Sequence, residues 1–183
     1  KNMLLYLVTV LIWGSTWFAI EFQLGEVAIE VSLLYRFAIA AALMWLYCRY
    51  RKLNMHFTLR QHGFIFLLAS LNFALNFLFI YQAQQYLSSA MTAIAFTTML
   101  LMNIINTRLF FGKPVAKRIY FGALLGIAGI VVLFWPDLDG IDLTNASLLG
   151  LLLILSGALS ASFGNMVSVR NSRENMPIMQ VNA

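Results

Sequence analysis

The sequence predicts an all-α, polytopic membrane protein, on the basis of its composition, its long apolar segments and the placement of its charges. Hydrophobic residues make up 61% of the 183 residues and charged residues only 10%. A soluble domain carries about 25% charged residues. A soluble chain of this length could not bury so much apolar surface, because the fraction that a protein buries is limited by its size. Lipid is the solvent that removes this cost.

Six segments are long and apolar enough to cross a bilayer, which requires about 20 mostly apolar residues per helix. In chain order, spans one to six are Met3–Ile20, Val31–Tyr47, Gly63–Gln82, Leu87–Phe110, Ile119–Trp135 and Leu148–Val167. Each segment is predicted to be a helix, because lipid offers no partner to an unpaired backbone group.

The basic residues fall on one side of the predicted membrane. Eleven of the twelve Lys and Arg residues precede span one, follow span six, lie in the loops between spans two and three and between spans four and five, or, in the case of Arg108, lie at the end of span four that adjoins this second loop. The charged residues on the opposite side are all acidic, namely Glu21, Glu26, Glu30, Asp137, Asp139 and Asp142. The positive-inside rule therefore predicts a cytoplasmic N-terminus. The orientation in the membrane is sufficient to explain why the loops are basic. We therefore expect these charges to face the lipid bilayer, and we expect no nucleic-acid partner.

Arg36 is the one charged residue well inside a predicted span, in span two near its outer end. A charge within the bilayer is costly, so Arg36 is a functional candidate. Its guanidinium could hold a substrate carboxylate through two hydrogen bonds. Alternatively, the side chain extends to the outer interface and pairs with Glu30 or Glu26. The sequence leaves both interpretations open.

Uncharged polar and aromatic residues at mid-membrane depth predict a cavity that binds a small-molecule substrate. Buried amides and hydroxyls need partners that lipid does not supply, so they face other helices, water or a ligand. Hydrogen bonding between helices explains any one of them, but together they favour a cavity. The predicted substrate-binding residues are Trp13, Ser15, Trp17, Arg36, Asn72, Asn76, Tyr81 and Thr97.

The residue types that support catalysis or metal binding are scarce. The chain has one cysteine, Cys48, and two histidines, His56 and His62, which lie in a basic loop. No carboxylate occupies the middle of a predicted span. Membrane enzymes need converging nucleophiles, acids or metal ligands. The sequence therefore predicts no enzyme, no catalytic residue, no metal site and no cofactor, and a membrane-embedded enzyme is the weaker alternative.

Small residues recur along the last two spans. Span five carries Gly122, Gly126 and Gly129, a spacing that lets helix backbones approach closely. Span six has the same character, with Gly157 and Gly164 among its small residues. We expect the face on span five to pack within one subunit. A homodimer or a structural assembly subunit built on this face is the alternative.

Several motifs occur in an order that resembles one transporter family. The motifs are Trp13-Gly14-Ser15-Thr16-Trp17, Arg36-Phe37 with its alanine-rich continuation, the turn from Tyr81 to Ala90, and the glycine face of span five. Together they are similar to the EamA-type domain of the drug/metabolite transporter superfamily, over about residues 4–135. The sequence departs from the family pattern at Met99, where proline is frequent, and at Lys113, where glutamate is frequent.

The resemblance implies two repeats of five helices, the second of them inverted. Residues 1–137 would form the first repeat, and residues 138–183 the outer loop, the sixth helix and the start of a truncated second repeat. We therefore expect the sequence to be a fragment of a longer transporter. The resemblance also implies a bacterial inner-membrane protein that exports small organic metabolites such as amino acids, by alternating access around a central cavity.

Overall fold

Helices account for almost all of the fold, and the described residues contain no strand. The computed structural model describes residues 2–25, 27–112, 114, 116–138 and 146–183, apart from the side chains of residues 2, 117 and 136–138. The helices are α1 (Asn2–Glu21), α2 (Ile29–Tyr50), α3 (Leu59–Ala69), α4 (Asn76–Ala83), α5 (Ser89–Phe96), α6 (Thr98–Phe111), α7 (Lys117–Leu138), α8 (Ala146–Arg173) and α9 (Ile178–Val181). A π-helical turn, Ser70–Leu75, joins α3 to α4. Among the charged residues, Lys1, Glu26, Lys113, Asp139 and Asp142 lie outside the described residues, and the charged side chains of Lys117 and Asp137 are likewise not described.

Within these ranges, six helical stretches are long and apolar enough to cross a membrane, which confirms the predicted polytopic helical fold. They are Met3–Glu21, Ile29–Tyr50, Leu59–Ala83, Ser89–Phe111, Arg118–Trp135 and Ala146–Arg173. The largest difference from the predicted boundaries is in span six, which continues past Val167 to Arg173 as one helix. Apolar composition indicates only the part of a helix that lies within the bilayer. The last turn of α8 instead carries arginines, which suit the negative end of the helix dipole.

Local capping defines the ends of spans three and four. Thr58 begins α3 with a capping box, in which its side chain accepts from the Gln61 backbone N–H and the Gln61 side chain accepts from the Thr58 backbone N–H. The Ser88 hydroxyl accepts from the backbone N–H of Met91 at the start of α5. Gly112 ends α6 with a φ of 64°, a left-handed conformation that glycine adopts without a steric cost.

Glycines recur every seven residues along α8, and two of them, Gly157 and Gly164, pack closely on span three, while Gly150 packs on the turn that follows it. A Cβ atom added at Gly164 would lie 2.8 Å from the Cβ of Asn72, and one added at Gly157 would lie 3.1 Å from the Cβ of Phe79. Small residues allow this approach, which gives membrane helices their van der Waals contact. Span six is therefore held against the helix that carries the two predicted cavity asparagines.

The glycine face of span five has a different environment. A Cβ atom added at Gly122, Gly126 or Gly129 would meet nothing within 4 Å among the described residues. Helix α7 reaches the core instead through Phe134, which is buried. In the described part of the chain, the small-residue face that packs is thus the one on span six, not the one on span five.

The C-terminal segment returns to the end of the molecule that holds the basic loop between spans two and three. Met176 and Val181 pack with Leu68 in a small apolar cluster. The buried thiol of Cys48, near the end of α2, lies 3.9 Å from the carbonyl oxygen of Met179. The basic residues that flank spans two, three and six are thus gathered at one end of the helical bundle.

Candidate functional site

A cavity of about 430 Å³ lies between spans one, three, four and six. Most of its wall is apolar, and aromatic rings are contributed by Trp13, Trp17, Phe73, Phe77 and Phe96. Its polar groups are uncharged and come from Thr16, Asn72, Asn76 and Asn165. Ligand pockets in proteins typically combine such an apolar lining with a few polar groups that orient the ligand. The cavity thus has the size and the chemistry of a small-molecule site.

Two of the spans that line this cavity depart from regular α-helical geometry beside it. Span three adopts π geometry over Ser70–Leu75, the turn that contains Asn72. Span four has one tighter turn at Thr97, directly after Phe96, where φ is −60° and ψ is −18°, so the span remains helical. π-helical turns occur frequently at functional sites. The irregular turns of both spans therefore lie next to the cavity.

The π-helical turn is stabilised by side chains that bond to its backbone. The Ser160 hydroxyl of α8 donates to the Leu71 carbonyl oxygen at 2.7 Å, and the Asn76 side-chain amide donates to the Asn72 carbonyl oxygen at 3.2 Å. Asn76 is 5% exposed, and its side-chain oxygen has no hydrogen-bond partner among the described residues. A buried acceptor without a donor costs about 1–3 kcal/mol. The cavity wall thus retains an unused acceptor.

Amide and hydroxyl side chains also connect spans four and six. Asn165, which lines the cavity, donates to the Asn103 side-chain oxygen at 3.3 Å. Asn106 is buried and donates to the Ser162 hydroxyl at 2.9 Å. These bonds satisfy polar groups that lipid would leave unpaired. Asn103 and Asn106 therefore join helices, while Asn165 both joins helices and faces the cavity.

Arg36 is held at the edge of the cavity by Tyr81. Its guanidinium donates to the Tyr81 hydroxyl at 3.3 Å, and that hydroxyl donates to the side-chain oxygen of Gln23 at 2.7 Å. The guanidinium carbon also lies 4.6 Å from the centre of the Phe77 ring, within the range of a cation–π contact. Because Phe77 lines the cavity, one side chain separates Arg36 from the space where a ligand would lie.

The alternative interpretation of Arg36 is that its side chain extends to the outer interface and pairs with Glu30 or Glu26. Among the described residues, Arg36 has no carboxylate partner, and Glu30 instead lines a separate pocket with Gln82 and Gln85. Glu26 lies outside the described residues.

The structure brings together six of the eight predicted substrate-binding residues. Trp13, Trp17, Asn72 and Asn76 line the cavity, while Arg36 and Tyr81 lie beside it. The other two lie elsewhere on their helices. The Ser15 hydroxyl donates to the Ile12 carbonyl oxygen and the Thr97 hydroxyl to that of Ile94, and both residues are exposed. All eight remain predictions as ligand contacts.

Thr16 and Asn165 line the cavity although neither is among the predicted residues. Trp13, Thr16, Trp17 and Ile20 have the spacing of a single helix face, so Thr16 could have been predicted from Trp13 and Trp17. No sequence pattern places Asn165 at the cavity, because the contact of span six with span four is not evident from the sequence.

The helical fold and this cavity define a multi-pass membrane protein with a small-molecule site between its spans. A sequence model of the EamA-like transporter family matches residues 1–135, and the chain belongs to that family of membrane transporters. The match confirms the resemblance seen in the motifs. Comparisons with curated proteins and with solved structures gave no significant match.

Proposed function

We propose that this chain carries out secondary transport of small organic metabolites, exporting amino acids or related compounds across a bacterial inner membrane. The observation that carries the proposal is one cavity between four spans, lined by aromatic rings and amides and bordered by the π-helical turn of span three. An apolar lining with a few orienting polar groups is typical of small-molecule sites.

The chemistry of the cavity suggests where the apolar and the charged parts of a substrate would lie. Its described lining carries no charged side chain, so a charged group placed there would be desolvated without a counter-ion. The apolar body of the substrate would lie among the rings of Trp13, Trp17 and Phe73. A carboxylate would reach Arg36, which lies behind Phe77 at the edge of the cavity and has a guanidinium suited to a bidentate contact.

The proposed mechanism is alternating access, in which one five-helix repeat moves against an inverted second repeat around a central site. The N-terminus would be cytoplasmic, because the basic loops would then lie inside. Arg36 and Tyr81 would lie towards the outer side of the substrate site. Membrane-embedded catalysis is not proposed, since the cavity chemistry fits binding and the family is one of transporters.

Transport by the full-length protein in proteoliposomes tests the proposal. We expect Trp13→Ala and Asn76→Ala each to lower the apparent substrate affinity about tenfold, which corresponds to roughly 1.4 kcal/mol of lost binding energy. The matched control is Trp135→Ala, because Trp135 is 61% exposed and lies away from the cavity. Unchanged transport rate and affinity in both cavity variants would refute the assignment of the cavity as the substrate site.

A further inference from the structure

A second cavity, of about 420 Å³, lies between spans three, four and six at the end of the bundle that carries the basic segments. Its walls are apolar and are formed largely by Phe64, Leu67, Leu71, Phe110, Phe163 and Met166. We call this cavity the basic-end groove. Neither the family match nor the proposed transport activity gives it a role.

Two arginines of α8 lie at the basic-end groove, each stacked on a ring of its lining. The guanidinium carbon of Arg170 is 3.5 Å from the centre of the Phe64 ring, and that of Arg173 is 4.1 Å from the centre of the Phe111 ring. Phe64 belongs to span three and Phe111 to span four, so the cations are held by the two spans that border the groove. Stacking fixes a guanidinium plane while leaving N–H groups at its edge for an anion.

The positive charge of these arginines is not neutralised within the described part of the chain. The Arg170 side chain donates to the Asn171 side-chain oxygen at 3.0 Å, which is a neutral partner. No described carboxylate forms an ion pair with Arg170 or Arg173, and the adjacent Glu174 is exposed. The groove therefore combines an apolar interior with a cationic mouth, which complements a molecule with an apolar chain and an anionic head.

The position of the groove indicates which such molecule is available. The positive-inside rule predicts that the basic end of the bundle faces the cytoplasmic leaflet, which is the leaflet rich in anionic lipids. Basic pockets between membrane helices on that side bind the head groups of anionic lipids. From Phe64 to Leu71 the groove follows span three for about 10 Å of helix rise, enough to admit part of an acyl chain.

We propose that the basic-end groove is a binding site for an anionic phospholipid of the adjacent leaflet. Arg170 and Arg173 bind its phosphate, and an acyl chain lies along the rings between spans three, four and six. The chain would end against Leu71, in the π-helical turn next to Asn72. The lipid would thereby contact the same π-helical turn whose Asn72 lines the substrate cavity. This proposal does not depend on the transport activity.

Native mass spectrometry of the detergent-purified full-length protein tests this assignment, using phosphatidylglycerol and phosphatidylcholine with identical acyl chains. We expect preferential retention of phosphatidylglycerol, and we expect Arg170→Gln combined with Arg173→Gln to reduce that preference by about thirtyfold, since two arginines are removed from an anionic head group. The control is Arg49→Gln with Arg51→Gln, which removes the same charge at the same end but away from the groove lining.

A substitution that changes no charge tests the place of the acyl chain. Leu67→Trp fills the groove and should reduce retention of both lipids, whereas Phe66→Trp, at a neighbouring residue that is 74% exposed and does not line the groove, should not. Unchanged lipid preference in the Arg170/Arg173 variant overturns the head-group assignment. An equal loss in the Arg49/Arg51 variant overturns it as well, because general surface charge would then explain the preference. Unchanged retention in Leu67→Trp overturns the groove as the site.

Discussion

Gly164 shows how a single residue sets the position of the candidate site. The Cβ that any other residue would carry at this position lies 2.8 Å from the Cβ of Asn72 and 3.1 Å from its backbone nitrogen. Neither atom belongs to the flexible end of a side chain, so the clash cannot be relieved by a rotamer change. The closeness of spans three and six, and with it the location of Asn72 in the cavity wall, depends on this glycine.

Replacing Gly164 by alanine should therefore destabilise the protein. We expect Gly164→Ala to cost about 1–3 kcal/mol, the usual range for overpacking a close contact, and to lower the thermal unfolding midpoint in detergent. Gly63→Ala is the control, because a Cβ atom at Gly63 meets nothing within 4 Å among the described residues. Equal midpoints for the two variants would contradict the close approach of spans three and six.

Individual cavity residues were predictable only where the helix period points to them. Trp13 and Trp17 are four residues apart and both line the cavity, but Ser15 lies between them on a different face. Depth in the membrane suggested Ser15, whereas the direction in which a side chain points is set by helix phase. The partner of Arg36 could not be read from the sequence, since Tyr81 is distant along the chain and carries no charge.

Among the secondary-structure elements, span three contributes an irregular π-helical turn to the wall of the cavity. The Leu71 carbonyl oxygen, inside the π-helical turn, accepts a hydrogen bond from the Ser160 hydroxyl of span six. Ser160 thus stabilises an irregular segment of a different helix.

The Ser160→Ala variant tests this role. It should lower stability by about 0.5–1.5 kcal/mol, because the hydrogen bond to the Leu71 carbonyl oxygen is lost. Ser156→Ala on the same helix is the control, since the Ser156 hydroxyl donates to the Leu152 carbonyl oxygen of its own helix and is exposed. Thermal unfolding in detergent measures both variants. A loss in Ser156→Ala as large as that in Ser160→Ala would argue against a specific bond to the π-helical turn.

The spans themselves were predictable from the sequence, but the irregular turns within them were not. Hydropathy measures whether a segment prefers lipid, and it is insensitive to one extra residue in a helical turn. Span four likewise has a tighter turn at Thr97, with methionine at position 99. The hydrogen bond from the Thr97 hydroxyl to the Ile94 carbonyl oxygen accompanies this turn.

For the whole molecule, the separation of charge between the two ends predicts the orientation in the membrane. Cys48 is fully buried, so the chain offers little native thiol reactivity to an impermeant reagent. Asn54 and Gln85 are exposed, and they lie in the loop after span two and the turn after span three. Single cysteines at these two positions would therefore report on opposite sides of the bilayer.

In intact cells or spheroplasts, we expect an impermeant maleimide to label Gln85→Cys from outside and to leave Asn54→Cys unlabelled until the membrane is opened. The unsubstituted chain is the control for Cys48. Labelling of Asn54→Cys from outside together with protection of Gln85→Cys would reverse the proposed orientation. Labelling of both from the same side would instead contradict the crossing of span three.

The contribution of span six to the site also has a consequence for how the protein is made. Asn103 and Asn106 of span four find their partners on α8, through Asn165 and Ser162. Synthesis proceeds from the N-terminus, so span four enters the membrane before these partners have left the ribosome. During that interval the side-chain amides of Asn103 and Asn106 lie within the membrane without the partners that they have in the folded protein. The nascent protein therefore passes through an unstable stage, which ends when the sixth helix docks.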